Sequence, residues 1–502
     1  MTVLERPVEA APETGAPVRA MMALARIEAR RLLLHPLVVL AVVGYMVLLL
    51  WPGGGSESYP VLHEVDRESQ LGPLLIGLAG LLAVNAAVLR SRRHGTETHF
   101  GVLLLPPWWR TAAHALSVVS LVLVASVIVA GGFALEAARA GAVGQASFAE
   151  LATGPLIVLF LGAVGVLLAR LVPSVLVGPL AVVVVLALTF VFVGRGGPWR
   201  WLAPLVADEG VRPLPSDLLG RAAGWHALYL VAAAALAALA AVWAAGARRA
   251  ALHVAAAGAL AGTVAAGVMQ GAGPSDELVA ARERATREPA AVQDCTRHGL
   301  TTYCAFGDFK PWIGEWRKVA DGVRALAGPA AATRPLTVRQ RVNALKGPSG
   351  MDEPPPAPGG EVTVGTAWDG ERRLELSASV ARGFVVGSES HDGVFCDARG
   401  ILTFWLAIKG IPDGEARYRE VQSQMGGGGG TIWAPVNLLS VRDREYAVVK
   451  ALLARPDAEV AGRVKASWAE LVRKGTTTDR AAALLGVTAP AETAADREWN
   501  CG

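Results

Sequence analysis

Residues 69–89 read SQLGPLLIGLAGLLAVNAAVL, with no ionisable side chain between Glu68 and Arg90. A helix of about 20 such residues, rising about 1.5 Å each, spans the roughly 30 Å of hydrocarbon in a bilayer. A charge at the bilayer centre costs about 3 kcal/mol or more, so the gaps between charges mark the spans. Comparable gaps separate Arg31 from Glu57, Arg110 from Glu136, Glu150 from Arg170, Arg170 from Arg195, Arg221 from Arg248 and Arg249 from Asp276. Each holds roughly 18 to 26 residues, which predicts about seven spans, all before Asp276. Beyond Asp276 the apolar gaps are short, and every lysine lies there, Lys310 being the first. The expected architecture is a membrane all-α polytopic bundle of about seven transmembrane helices followed by an α+β extracytoplasmic domain. Its parts are residues 1–31 (a cytoplasmic tail and interfacial helix), 32–275 (the transmembrane domain) and 276–502 (the exterior domain).

The composition of the 502 residues agrees. The chain is 53% hydrophobic and 18% charged, with a mean hydropathy of +0.40. Soluble chains carry about 25% charge, so lipid is part of this chain's solvent. Disorder is excluded by the apolar surface available for burial. A net charge of +4 is too small to argue for nucleic acid. Trp51, Trp108, Trp109, Trp199, Trp201 and Trp225 stand at the ends of apolar runs, where amphipathic rings favour the headgroup layer. Gly258 and Gly262 form a small-xxx-small pair beside an alanine-rich span, as close helix packing requires. Asn85, Thr189, His253 and Gln270 are the notable polar groups in the spans, and interhelical hydrogen bonds are their commonest role.

Arginine placement orients the bundle. With the N-terminus inside, the inner side receives Arg19, Arg26, Arg30, Arg31, Arg90, Arg92, Arg93, Arg110, Arg170, Arg248 and Arg249, with few acids beyond Glu28 and Glu97. The positive-inside rule then makes the N-terminus cytoplasmic, and an odd number of spans places residues after 276 outside. The cysteines agree independently: Cys295, Cys304, Cys396 and Cys501 all lie in the exterior portion. An even set in an oxidising compartment reads as two disulfides. Of three possible pairings, Cys295–Cys304 with Cys396–Cys501 is preferred, because one closes a short loop and the other ties down the C-terminus.

Residues 18–31 set Met21, Met22, Leu24, Ala25 and Ile27 against Arg19, Arg26, Arg30 and Arg31, the pattern of an interfacial helix. His35-Pro36 then opens the first span. In the exterior portion, helices are expected over 276–288, 310–327, 401–408, 445–455, 458–474 and 478–485. Strands are expected over 361–368 and 372–387, the latter from the alternation of Leu374, Leu376, Ala378 and Val380. Residues 347–360 read as a proline-rich loop and 426–430 as a flexible insert. Residues 276–288 would lift this domain off the membrane. Trp312, Trp316, Trp368, Trp405, Trp433, Trp468 and Trp499 read as core rather than as a glycan-stacking surface.

Several chemistries lack their residues. Lys346-Gly347-Pro348-Ser349 has neither the order nor the spacing of a phosphate-cradling loop, and His63-Glu64 is followed by no second histidine at helical spacing. Cys295, His298 and Cys304, with Cys396 and His391, are a poor set for structural zinc, which takes four ligands at tight spacing. Gly393-Val394-Phe395-Cys396 and the stretch through Gly410-Ile411-Pro412 resemble the cysteine segment of transglutaminase-like folds. A thiol nucleophile needs a histidine base, and no histidine follows His391. The expectation is therefore a chain with no catalytic residues, no metal and no bound cofactor.

Ala25-Arg26-Ile27-Glu28-Ala29-Arg30-Arg31-Leu32 followed by His35-Pro36 resembles the start of bacterial type-2 ABC transporter permeases, the nearest being alanine- and arginine-rich actinobacterial members. The loop with Arg92-Arg93, Gly95-Thr96-Glu97, Pro106-Pro107 and Arg110 resembles the coupling element that docks on the ATPase in that family. The resemblance covers about the first half of the chain. It implies an integral-membrane permease subunit, an exporter, driven by a separate ABC ATPase that holds ATP and magnesium, and paired with a second permease subunit in the cell membrane. Its sites would be a coupling loop (Arg92, Arg93, Glu97, Pro106, Pro107, Arg110) and an interfacial helix (Arg26, Glu28, Arg30, Arg31). The family's usual six spans with both termini inside leave the exterior domain unassigned. A membrane-anchored extracellular binding or sensing protein is the alternative.

Overall fold

The computed structural model describes residues 16–50, 59–96, 105–195, 203–205, 213–345, 354–389, 394–424, 430–436, 438–497 and 501. The N-terminal half is helical: α1 (Ala16–Leu33), α2 (Pro36–Leu50), α3 (Leu62–Glu68), α4 (Leu71–Arg93), α5 (Pro107–Ser117), α6 (Val119–Ala137), α7 (Phe148–Leu171), α8 (Val177–Arg195), α9 (Ala223–Ala244), α10 (Ala250–Gly271) and α11 (Asp276–Arg287). Among the described residues, five helical stretches are long and apolar enough to cross a membrane: Leu62–Arg93, Pro107–Ala137, Phe148–Leu171, Ala223–Ala244 and Ala250–Arg287. Pro17–Leu33 and Pro36–Leu50 meet at 57° and together make a sixth candidate, while Val177–Phe192 is apolar but shorter. The seven uncharged gaps thus map onto five full-length helices and two pieces, α2 and α8, whose lengths alone do not establish a crossing.

Local chemistry sets the helix ends. Ser147 caps α7 by accepting from the Glu150 backbone N–H (3.4 Å), and the chain leaves that helix at Val172, just before Pro173. Ser275 caps α11 in the same way through Leu278 N (3.2 Å). Helix α7 is the centre of the bundle, lying along α4 on one side and α9 on the other; α10 packs on α9, and α1 on α5. At the α4–α7 crossing a Cβ on Gly165 would come within 2.7 Å of the Leu81 carbonyl oxygen, and Asn85 Nδ2 donates to Gly165 O at 3.3 Å. Small residues let helices approach this closely where the hydrophobic effect supplies no drive. Of the polar groups singled out in the sequence, Gln270 also bonds between helices, its Oε1 lying 2.7 Å from His226 Nδ1. Thr189 and His253 bond within their own helices.

The C-terminal half is α+β. A four-stranded sheet has the order β1 (Asp294–His298), β2 (Thr301–Ala305), β3 (Leu336–Gln340), β4 (Glu361–Val364). The β1–β2 hairpin is antiparallel, and β2–β3 and β3–β4 are parallel. Strands β5 (Gly430–Ile432) and β6 (Leu439–Val441) pair separately. Helices Ile313–Leu326, Gly370–Val385 and Ala398–Lys409 form the core, in which Trp312, Trp316, Trp368 and Trp405 are almost completely buried. Trp468 is buried too, while Trp433 is exposed. Cys295–Cys304 crosses β1–β2, and Cys396–Cys501 pins the C-terminus beside β6. Cys396 is therefore not a free thiol.

Three expectations need correction. Residues 372–387 are not a strand but most of the Gly370–Val385 helix. This helix is buried on nearly every side from Leu374 to Val385, its polar Glu375, Ser377, Ser379 and Arg382 included, so the alternation of apolar residues did not mark the inner face of a strand. Only Glu361–Val364 of the strand expected over 361–368 is extended into the sheet. Nor does α11 lift the domain away. Arg282 Nε and Nη2 donate to Leu218 O and Leu219 O (2.8 and 2.7 Å), drawing α11 onto the loop before α9. The domain's core continues into Val61, Val143, Leu214, Leu218 and Leu219 of the helical half. Trp51, Glu97, Trp199, Trp201, His391, residues 426–429 and Trp499 lie outside the described residues.

Candidate functional site

Two polar clusters bracket the apolar helices, one at each end. The first is built on α1, whose buried positions Met21, Ala25, Glu28 and Leu32 recur at helical spacing. Met21 and Ala25 pack on Ala113 of α5, with Trp109 and Ala112 beside them. Glu28 falls on this same apolar stripe and is 3% exposed. A buried carboxylate requires a cation, and it has two. Arg31 Nη1 lies at 2.9 Å and Arg90 Nη1, from the end of α4, at 3.1 Å. His114 of α5 lies among the charges of Glu28, Arg170, Arg90 and Arg110, with its Nδ1 buried and unbonded.

Of the residues singled out in the sequence, Glu28, Arg31 and Arg90 are thus brought into contact, and Arg110 lies near them. Arg92, Arg93, Pro106 and Pro107 are exposed beside them, at the ends of α4 and α5. Arg26 and Arg30 are exposed on the outer face of α1. Glu97 lies outside the described residues. His114 escaped the sequence reading, although its place four residues after Arg110, on an amphipathic helix, was the available signal.

The second cluster lies at the other end, where the C-terminal domain docks. Arg221, its side chain 4% exposed, donates to Glu64 Oε1 (2.6 Å), Glu150 Oε2 (3.3 Å) and the His63 carbonyl. Asp66 Oδ2 accepts from Ser147 N at 2.7 Å. These residues come from α3, α7 and the loop before α9, so one guanidinium closes three segments. The domain fits over them: Trp312 Nε1 donates to Gly141 O (2.7 Å), Tyr59 N to Trp368 O (3.0 Å) and Ser216 N to Asp308 Oδ2 (2.7 Å). Gly141 has a positive φ of 81°, and a Cβ there would strike the Tyr59 ring.

Away from the bundle, Glu361 is held below the usual carboxylate range: burial opposes its ionisation, but the guanidinium groups of Arg339 and Arg341 outweigh that. Burial lowers the Arg382 guanidinium to about 10. Its Nη atoms donate to Glu389 O and Leu438 O, a structural role. Among the described residues no group of three His, Cys, Asp or Glu side chains is placed to hold a metal ion. Compared with known proteins, the chain matches no family model, no curated protein and no solved structure.

Proposed function

We propose that this chain is the permease subunit of an ATP-binding-cassette exporter in the plasma membrane. Its N-terminus would be cytoplasmic, and α2 and α8 would complete seven crossings that leave the C-terminal domain outside. Power would come from a separate ABC ATPase carrying ATP and magnesium, and a second permease subunit would complete the path. ATP binding on the partner would then shift the bundle between inward- and outward-facing states.

The observation that carries this reading is the clasp of α1 on α5 and α4. A helix merely floating at the interface needs no buried ion pair, whereas Glu28 joins α1 to Arg90 at the end of a long apolar helix. Force applied beside Arg92 and Arg93 would pass into α4 directly and into α1 through Glu28. The C-terminal domain, seated on the opposite ends of the same helices, would cap the exit.

The test is co-purification of the full chain in mild detergent, with bound subunits identified by mass spectrometry. The wild type is expected to retain an ABC ATPase in stoichiometric amount, and Arg92→Glu with Arg93→Glu to reduce it at least tenfold. A wild-type preparation with no ATPase, or transport indifferent to the charge reversal, would remove the proposal.

A further inference from the structure

Helices α9 and α10 part at the α1 end of the bundle, leaving a notch of about 240 Å³ lined by Leu239, Ala240, Trp243, Leu252, His253 and Ala256. Its walls are apolar, and Arg248 and Arg249 stand in the turn that joins the two helices, Arg248 against Trp243 of the wall. The Arg248 guanidinium lies 4.6 Å over the Trp243 ring, and that of Arg249 lies 5.0 Å over the Trp108 ring. Arg248 Nη1 donates to the carbonyls of Trp243 and Ala247, and His253 Nδ1 lies 3.1 Å from Arg249 O. Among the described residues neither arginine has a carboxylate partner. Glu28, the buried acid of this end, is already held by Arg31 and Arg90.

We infer that this notch is a binding site for one anionic phospholipid. The phosphodiester would sit on Arg248 and Arg249, with one acyl chain along the groove between α9 and α10. Contact with the Trp243 and Trp108 rings restrains both guanidiniums while leaving further N–H donors for phosphate oxygens. An indole at the headgroup level and a greasy slot beneath it match the two halves of a lipid. Basic pockets between membrane helices recognise anionic headgroups in this way. The inference needs only that this end of α9 and α10 meets a membrane surface; it does not depend on an ATPase partner.

The experiment is native mass spectrometry of the full chain, extracted from vesicles of equal phosphatidylglycerol and phosphatidylcholine and stripped by graded detergent washing. The wild type is expected to keep about one phosphatidylglycerol after phosphatidylcholine is lost. Arg248→Gln with Arg249→Gln should lower that retention at least fivefold, and Ala256→Trp, which fills the slot and keeps both arginines, should do the same. Arg19→Gln, which removes a charge from the same end, should leave it unchanged. Matched elution and far-ultraviolet spectra show that each variant is folded. Equal retention of the two lipids, or a loss with Arg19→Gln as large as with the double variant, would overturn the site and leave only a general basic belt.

Discussion

At the scale of single residues, the two buried ion clusters follow one rule: an acid inside the structure is matched by an arginine from another segment. Arg221 is the stricter case, because it neutralises Glu64 and Glu150 while both are largely hidden from solvent. Removing one partner of such a group leaves an uncompensated buried charge, at a cost of about 3–5 kcal/mol. Arg221→Met should therefore lower the thermal midpoint of the detergent-solubilised protein markedly, and adding Glu150→Gln should recover part of the loss. Strictly additive losses in that double-mutant cycle would mean that the pair is not coupled. Neither cluster could be read as a contact from the sequence. Glu28, however, announces itself by standing on the stripe of Met21, Ala25 and Leu32, where an unpaired carboxylate would be untenable.

At the scale of elements, the spacing of charges was a better guide than any local pattern. It located the long apolar helices because the cost of burying charge acts on whole segments. Capped helices of the C-terminal half were also legible: Thr478–Leu485 begins after Thr477, whose side chain accepts from Arg480 N, and ends at Gly486 with a positive φ of 76°. Hidden from view were β1, β2 and β3, each only five residues long, and the Gly370–Val385 helix, which is buried on nearly every side from Leu374 onward. Periodicity reports a boundary between water and core, and such elements have none. The Gly258–Gly262 pair was overread: Gly258 meets nothing, and only Gly262 approaches a neighbour, Ala232. The closer crossing is Gly165 on α4, where the neighbour is backbone and cannot rotate away. Gly165→Val should push α4 and α7 apart and destabilise the bundle by about 1–3 kcal/mol. A thermal midpoint unchanged by this substitution, while Gly258→Val lowered it, would place the tight crossing elsewhere.

At the scale of the whole molecule, the helical half and the C-terminal domain are joined by a shared core and by hydrogen bonds through Trp312, Tyr59 and Arg282. The proposed single machine requires such a joint, which buries Val61 and Val143 under the core of the C-terminal domain. Composition separates an apolar first part of the chain from a more charged second part, but it could not show that joint, because the contacts link positions far apart in the chain and no motif marks them. The account requires the two polar ends of the bundle to face opposite sides of a membrane. Single cysteines introduced by His94→Cys and by Ser423→Cys, both at exposed positions, can be probed in intact cells with a membrane-impermeant maleimide. The account predicts labelling at position 423 without lysis and at position 94 only after permeabilisation. Labelling of both on the same side, or the reverse pattern, would contradict it.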